Sequence, residues 1–154
     1  MGYDAFVSLL VKSGVDGVLS PDMPYGVEDV LTKKLRTKGV RLIRLIAPNT
    51  VPARRAMIAR DSDDFIYYVS RKGITGTQSA LTRGLKKEVQ SIKKHTNKSV
   101  LVGFGISKKE HVAEVVAVSD GAIVGSAILK ELKKQKSVSQ ALTFTKSLMR
   151  GLTK

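Results

Sequence analysis

Two glycines and a serine follow two consecutive predicted strands, and their spacing suits phosphate binding. Gly105 and Gly125 end the predicted strands 99–105 and 121–125, and Ser126 stands where the next helix should begin. Glycine lets backbone N–H groups approach an anion closely, and a helix N-terminus adds unpaired donors and a positive dipole end. Tight turns also use such glycines. Two of them one βα unit apart, beside a serine at a helix start, favour a phosphate site.

A polar segment at 71–77 is a second candidate for contact with an anion. It contains Arg71, Thr75 and Gly76 and carries a second glycine at position 73. Its composition predicts a mobile lid over the bound anion. An ordinary flexible connection between two elements fits the same composition, and the residues alone do not decide between them.

The apolar pattern predicts five short strands that alternate with helices. Strands are expected at 17–19, 41–47, 64–70, 99–105 and 121–125, and helices at about 3–12, 27–38, 51–60, 80–95, from Ser107 onward, 127–132 and 137–152. Ser107 and Glu110 have the spacing of a capping box at the fifth helix. The alternation implies α/β architecture with a parallel sheet and outer helices, and residues 1–154 are expected to form a single domain.

Two parallel folds compete for this pattern. A five-stranded doubly wound sheet suits the length of 154 residues. A closed (β/α)8 barrel typically needs about 250 residues. In both folds ligands meet the loops after the C-terminal ends of the strands, which is where the candidate glycines lie. The strand pattern alone leaves the choice open.

The composition excludes several classes of site. Hydrophobic residues make up 42% of the chain, and there is no cysteine, which removes disulfides and thiolate sites. No metal site is expected. No apolar run approaches the roughly 20 residues that span a membrane. The first ten residues lack the pattern of a signal peptide, so a cytoplasmic protein without a membrane partner is expected.

The net charge of +14, from 27 Lys and Arg against 13 Asp and Glu, has two explanations. It can form a nucleic-acid surface, or it can be the solvated outer face of the helices. Interleaved aromatic residues and known nucleic-acid-binding motifs are missing, which favours the solvated face. Nucleic acid is therefore not the expected partner, although the charge still attracts phosphorylated metabolites.

Three segments together resemble the signatures of the tryptophan synthase α-subunit family, in the same order and at the same separations. They are Ser70-Arg71-x-Gly73-Ile74-Thr75-Gly76, Gly103-Phe104-Gly105-Ile106-Ser107 and Gly125-Ser126-Ala127-Ile128. Further matches are Gly14 to Gly17, Asp22-x-Pro24 and Pro48-Asn49. The resemblance covers essentially the whole chain. It implies a partial (β/α)8 TIM barrel, with five parallel strands corresponding to barrel strands four to eight, and outer helices.

The resemblance also implies a reaction and a set of roles. The family cleaves indole-3-glycerol phosphate to indole and glyceraldehyde 3-phosphate by a retro-aldol step. Indole then passes to a β-subunit partner that carries pyridoxal phosphate, so no cofactor is expected in this chain. The implied residues are Gly76, Gly105, Gly125 and Ser126 for the phosphate; Tyr67, Phe104 and Ile123 for the substrate pocket; Arg71 and Thr75 for the lid; and Asp22 and Pro24 near the partner contact.

The catalytic acids are the main departure from the family. Its Glu and Asp lie on the second strand and the loop after it, and neither has a counterpart in this sequence. Retro-aldol cleavage needs one group to protonate the indole and another to remove a hydroxyl proton. Asp22 is the one acid predicted at the C-terminal end of a strand. We therefore expect no catalytic residue here and no useful cleavage by this chain alone.

A five-stranded part of a barrel should leave two open edges and a bare inner face. Such a chain is expected to dimerise, recruit a missing half, rearrange to an open sheet or aggregate. Other functions also stay open on the residues. They are a different phosphosugar-binding barrel enzyme or half-barrel, a non-catalytic regulator of a β-subunit, and a basic nucleic-acid-binding module.

Overall fold

Strands and helices alternate along the chain as predicted. The computed structural model describes residues 1–23, 26, 29–70, 78–103, 105–135 and 137–152, with 78–83 and 135 described by their backbone. The elements are α1 (Tyr3–Lys12), β1 (Gly17–Leu19), α2 (Asp29–Thr37), β2 (Arg41–Ile46), α3 (Pro52–Asp61), β3 (Phe65–Val69), α4 (Gln78–Lys93), β4 (Ser99–Gly103), α5 (Lys109–Val116), β5 (Gly121–Ile123), α6 (Ser126–Gln135) and α7 (Val138–Met149).

The five strands form one parallel sheet in the order β1-β2-β3-β4-β5. Each strand pairs with the next one along the chain, so every crossover moves the chain in the same direction. Because such crossovers are right-handed, consecutive order places all the connecting helices on one face. A doubly wound sheet reverses its order and carries helices on both faces. The structure is therefore a part of a TIM barrel, and the predicted fold is confirmed.

The core lies between the sheet and its helices. Ile66 and Tyr68 of β3 and Val100 and Val102 of β4 are almost fully buried, against apolar residues of the outer helices. The helical residues are Ile58, Ala59, Val89, Ile92, Val112, Val115 and Leu148. A second cluster joins α1, α2 and the first two strands. Side chains alternate along a strand, so the intervening residues lie on the opposite, inner face of the sheet.

The ends of two helices show where local signals held and where one was wrong. Gly39 follows α2 with φ of +74°, a conformation that favours glycine just after a helix, in agreement with the helix predicted to end at about residue 38. The predicted capping box at Ser107 and Glu110 is wrong. Lys108 is the N-cap of α5 and makes no side-chain cap bond. Ile106 is buried in the core, and the exposed Ser107 after it donates its N–H to Nδ1 of His111 at 3.3 Å.

The N-terminal edge of the sheet is held by two equivalent aspartates. Asp63, before β3, donates its N–H to the carbonyl of Leu42 and accepts the N–H of Leu42 at Oδ2 (2.7 Å). Asp120, before β5, makes the same two bonds with Val100. Each carboxylate also meets a cation from the helix before the strand that it grips. The pairs are Arg36–Asp63 at 2.7 Å and Lys93–Asp120 at 2.6 Å.

A third carboxylate, Asp61, tightens the same edge. It accepts two hydrogen bonds from the buried Arg44 of β2, at 3.0 and 2.6 Å, and pairs with Arg36. Burial lowers the pKa of Arg36, while Asp61 and Asp63 raise it by more, so the net pKa is raised.

Within the described residues, no helix is long and apolar enough to cross a membrane.

Candidate functional site

The C-terminal ends of three neighbouring strands lie at one level. The register aligns Val69 of β3 with Gly103 of β4, and Gly103 with Ile123 of β5. The N–H of Ser70 donates to the carbonyl of Gly103 at 3.0 Å, which extends the pairing by one residue. The C-terminal ends of β3, β4 and β5 therefore lie side by side. This alignment brings the predicted candidate segments together at their starting points.

Gly105 occupies a backbone conformation that few other residues adopt. Its φ is +73°, in the left-handed region, and the residue is exposed at the end of β4. The next residue, Ile106, is 5% exposed and packs into the core, which fixes the position of the chain directly after Gly105. The glycine thus combines an open backbone with a fixed position, which is what close approach to an anion requires.

Gly125 and Ser126 form the start of α6. The carbonyl of Gly125 accepts the N–H of Leu129 at 3.1 Å, so Gly125 is the N-cap and Ser126 the first residue of a ten-residue helix. Both are exposed, and a Cβ added to Gly125 would meet no atom within 4 Å. The first N–H groups of a helix have no partner within the helix, and this end of its dipole is positive. Of the residues predicted as phosphate ligands, Gly125 thus has open space beside the N-terminus of α6.

Tyr67 and Ile123 lie beside this edge, together with a glycine that the sequence reasoning missed. Tyr67 is half-buried on the inner face of β3, and its ring covers Gly103. A Cβ on Gly103 would lie 2.4 Å from both Cε2 and the hydroxyl oxygen of Tyr67. Gly103 therefore leaves the room that Tyr67 occupies. A glycine inside a strand is the signal that could have revealed this close approach.

Several predicted site residues lie outside the described part of the chain. They are Arg71, Thr75, Gly76, Phe104 and Pro24. Asp22 is described and exposed in the loop after β1. A cavity of about 170 Å³ lies beside this loop, lined by Ser20, Pro21 and Met23 together with residues of β2 and α3. Of the described residues predicted to bind phosphate, Gly105, Gly125 and Ser126, none lines it.

The acids are distributed as the sequence predicts. Among the described loops that follow strands, Asp22 is the one carboxylate. Asp61, Asp63 and Asp120 are engaged in ion pairs at the opposite edge of the sheet, and Glu88 pairs with Arg55 between two helices at 2.7 Å. Across the described residues, no group of three His, Cys, Asp or Glu is placed to hold a metal ion. The described part of the C-terminal edge thus offers backbone donors and apolar side chains rather than an acid–base pair.

Comparison with known proteins gives the same family from sequence and from structure. A family model described as tryptophan synthase alpha chain matches residues 1–153. The tryptophan synthase alpha chain of Opitutus terrae is 39% identical over 142 residues, which are 92% of this chain and 53% of that protein. The alpha chain of Caulobacter vibrioides is 38% identical, with 92% and 52% covered. This chain therefore spans about half the length of the curated relatives that it matches.

Solved structures agree over nearly the whole chain. Tryptophan synthase subunit alpha from Campylobacter jejuni superposes with a TM-score of 0.86 at 29% identity, covering 96% of this chain and 59% of that one. A chain from the tryptophan synthase α2β2 complex of Pyrococcus furiosus gives a TM-score of 0.82 at 31% identity, with 98% and 61% covered. By sequence motif, strand order and these matches, the chain belongs to the tryptophan synthase alpha chain family.

Proposed function

We propose that this chain supplies the phosphate- and indole-binding half of a tryptophan synthase α subunit and is inactive in cleavage on its own. The observation that carries the proposal is that Gly103 and Ile123 are register partners at the C-terminal ends of β4 and β5, and that Gly105 and the N-terminus of α6 follow them closely along the chain. The ligand is the family's indole-3-glycerol phosphate or its product glyceraldehyde 3-phosphate. We propose that residues 1–154 form a single domain and that the protein acts in the cytoplasm.

Phosphate recognition rests on backbone donors. In the proposal, Gly105, Gly125 and Ser126 present N–H groups to the phosphate oxygens, and the α6 dipole adds a favourable field. Gly76 joins them through the family resemblance. The open space around the Cα of Gly125 supports its proposed role. A side chain at this position would lie between the anion and the N-terminus of α6. The net charge of +14 raises the local concentration of anionic ligands.

The indole is assigned to the apolar side of the same edge. Tyr67 and Ile123 are both half-buried, so part of each side chain remains available to a ligand. Phe104 completes this wall through the family resemblance, and Arg71 and Thr75 belong to the segment proposed to close over it. An aromatic ring of the size of indole gains most from such contacts because both of its faces are removed from water.

Cleavage requires groups that this edge does not supply. One carboxylate, Asp22, stands in a loop at this end of the described sheet, whereas the retro-aldol step needs both a proton donor and a proton acceptor. The chain is therefore proposed to bind without turning over. Asp22 and Pro24 are proposed to lie near the contact with a β subunit, which would hold the pyridoxal phosphate.

Equilibrium titration with glyceraldehyde 3-phosphate tests the binding proposal, with unphosphorylated glyceraldehyde as the ligand control. Gly125→Asp places a carboxylate at the N-terminus of α6 and should weaken binding about tenfold or more by charge repulsion. Gly84→Asp is the matched variant, because Gly84 is exposed on α4 with no atom within 4 Å of an added Cβ. It should bind as the parent chain does. Equal losses in both variants, or no binding by the folded parent at millimolar ligand, would overturn the proposal.

Release of indole from indole-3-glycerol phosphate tests the second part. The chain alone should give no release above the buffer rate. Turnover by the purified chain that Asp22→Asn abolishes would show that one carboxylate suffices, and the proposal of inactivity would be wrong.

A further inference from the structure

We propose that neutral His111 is a positioning residue for the phosphate-binding segment between β4 and α5. Its Nδ1 accepts the N–H of Ser107 at 3.3 Å, and Ser107 stands two residues after Gly105. This inference rests on the phosphate binding proposed for Gly105 and adds a residue that acts through the backbone of the same segment. Protonation of the imidazole removes the acceptor, so the affinity for an anion depends on the charge of His111.

Residues 105–107 are fixed at two successive points. Ile106 is 5% exposed and belongs to the core cluster. Ser107 is exposed, and its N–H donates to the imidazole of His111. A buried apolar side chain is thus followed by a hydrogen bond to the next helix. Together these two contacts limit the movement of the exposed Gly105 relative to α5.

The helix that carries His111 is itself firmly packed. Val112 and Val115 of α5 are buried. Gly151, which follows α7, comes so close to the first turn of α5 that an added Cβ would overlap the carbonyl oxygen of Lys109. The backbone on both sides of His111 is therefore held in place, and the imidazole has a fixed base from which to hold Ser107.

The hydrogen bond requires the neutral imidazole. A backbone N–H can be accepted only by a ring nitrogen that carries no proton, so the ring proton is on Nε2. When a second proton binds, both ring nitrogens are donors, and Nδ1 then faces the N–H of Ser107 as donor to donor. Histidine is the side chain whose charge ordinarily changes between about pH 5 and 8. The contact is therefore sensitive to pH in this range.

The place of His111 in its helix explains the contact. Lys108 is the N-cap of α5, so His111 is the third helical residue. A glutamate or glutamine at this position commonly accepts a backbone N–H at the start of the helix. Glutamine keeps its acceptor at every pH, whereas histidine loses it on protonation. A glutamine at position 111 is therefore the natural replacement that keeps the contact and removes its dependence on pH.

Protonation also has an opposite effect, because the imidazolium adds a positive charge that attracts an anion. His111 is only partly buried, so salt screens this attraction. Salt does not restore a hydrogen bond that the segment has lost. At an ionic strength of about 0.15 M we therefore expect the loss of positioning to dominate.

The other charged side chains around His111 keep their charge between about pH 5 and 8. They come from α5 and from the elements that pack against it, which are α4, α7 and β5. The described ones are Lys108, Lys109, Glu110 and Glu114 on α5; Lys86, Lys87, Glu88 and Lys93 on α4; Lys146 on α7 and Arg150 after it; and Asp120 before β5. The second of the two histidines, His95, follows α4 and precedes β4, at the opposite edge of the sheet.

Titration with sulfate tests the proposal, because sulfate keeps its double negative charge across this range. Affinities are measured by calorimetry at about pH 5.5 and 8, at an ionic strength of about 0.15 M. The parent chain should bind about threefold more weakly at the lower pH, as expected for one exposed hydrogen bond. His111→Gln should bind at both pH values as the parent does at the higher one. His111→Ala should be about threefold weaker at both.

His95→Gln is the matched control, and it should retain the pH dependence of the parent. The same pH dependence in the parent and in His111→Gln would overturn the proposal and leave phosphate binding intact. Tighter binding by the parent at the lower pH, relative to His111→Gln, would also overturn it. No saturable binding of sulfate by the folded parent at either pH would overturn both proposals.

Amide NMR of the parent without ligand gives a second measurement, which needs no variant. The Ser107 amide signal should move with pH at the same midpoint as the ring signals of His111. A Ser107 signal that does not follow the ring while the chain stays folded would overturn the positioning contact.

Discussion

The two edges of the sheet are built from opposite chemistry. At the N-terminal edge, carboxylates meet strand N–H groups and cationic side chains, with Asp63 and Asp120 repeating the same arrangement two strands apart. At the C-terminal edge, Gly105 and Gly125 are exposed, and a Cβ added to Gly125 would meet no atom within 4 Å. In the described residues, the N-terminal edge pairs its carboxylates internally, and we propose that the C-terminal edge offers its donors to an external anion. Such a division between a stabilising and a functional end is typical of βα barrels.

Asp63 and Asp120 show how the N-terminal edge of the sheet is stabilised. Each one exchanges two hydrogen bonds with the second residue of a strand and holds a cation from the helix that precedes that strand. A single side chain thus ties a helix, a strand and the following turn together. Gly125 at the other edge has no side chain to form such ties and has open space around it, so changes there should affect the proposed binding more than folding.

The largest effect should come from breaking the stabilising edge. Asp63→Ala removes the acceptor of the Leu42 N–H and a partner of Arg36, and should lower the free energy of unfolding by about 2–3 kcal/mol. Urea denaturation measures the change. Asp64→Ala is the control, because Asp64 is exposed and adjacent. It should cost less than about 0.5 kcal/mol. Similar losses at both positions would contradict the assigned role of Asp63.

A substitution at Gly103 tests how tightly the ring of Tyr67 packs against β4. Gly103→Ala forces the Tyr67 ring to move, since the new Cβ would lie 2.4 Å from it, and should cost about 1–3 kcal/mol of stability. The cost should largely disappear in a Tyr67→Ala background, where the ring is gone. A double-mutant cycle by chemical denaturation gives the coupling. Additive costs would show that the ring does not determine the need for glycine.

The two glycines of the binding edge should differ from each other. Gly105→Ala places a Cβ on a backbone with φ of +73° and should cost about 1–2 kcal/mol in addition to any loss of affinity. Gly125→Ala meets open space and should leave the melting temperature nearly unchanged while weakening ligand binding. Thermal denaturation and titration on the same samples separate the two effects. Equal destabilisation by both variants would contradict this comparison.

The smallest effect should be a change in acid stability. Burial raises the pKa of Asp120, but the Lys93 ammonium and the Val100 N–H lower it by more, so the net pKa lies below its ordinary value. A lowered folded-state pKa adds stability at pH values above the ordinary carboxyl value, and that stability is lost as the pH falls through the folded pKa. Asp120→Asn should therefore flatten the dependence of unfolding free energy on pH below about pH 4. An unchanged acid slope would contradict it. The effect is modest because Lys93 is partly exposed.

The elements could be predicted from sequence because their signals are local. Apolar runs gave all five strands within a few residues, and Gly39 marked the end of α2. The order of the strands, which decides between barrel and doubly wound sheet, needs pairing information that no single run contains. The resemblance of the motifs to a family with a barrel fold supplied the strand order indirectly.

The ties and close contacts were harder to predict. Asp63 and Leu42 are 21 residues apart, and Asp120 and Val100 are 20 apart, so no local pattern joins them. The contact of Tyr67 with Gly103 likewise depends on the register of two strands. At Ser107 a local signal was present but tertiary packing of Ile106 overrode it, and the helix begins later.

The central claim is that the exposed donors of the C-terminal edge bind phosphate. The most direct measurement is a titration of the ¹⁵N-labelled chain with inorganic phosphate at constant ionic strength, followed by amide NMR. The largest shifts should occur at Gly105, Gly125 and Ser126 and should saturate with one common affinity. Shifts that are largest on the lysine-rich outer helices, or no shifts at Gly105, Gly125 and Ser126 while the chain remains folded, would contradict this claim.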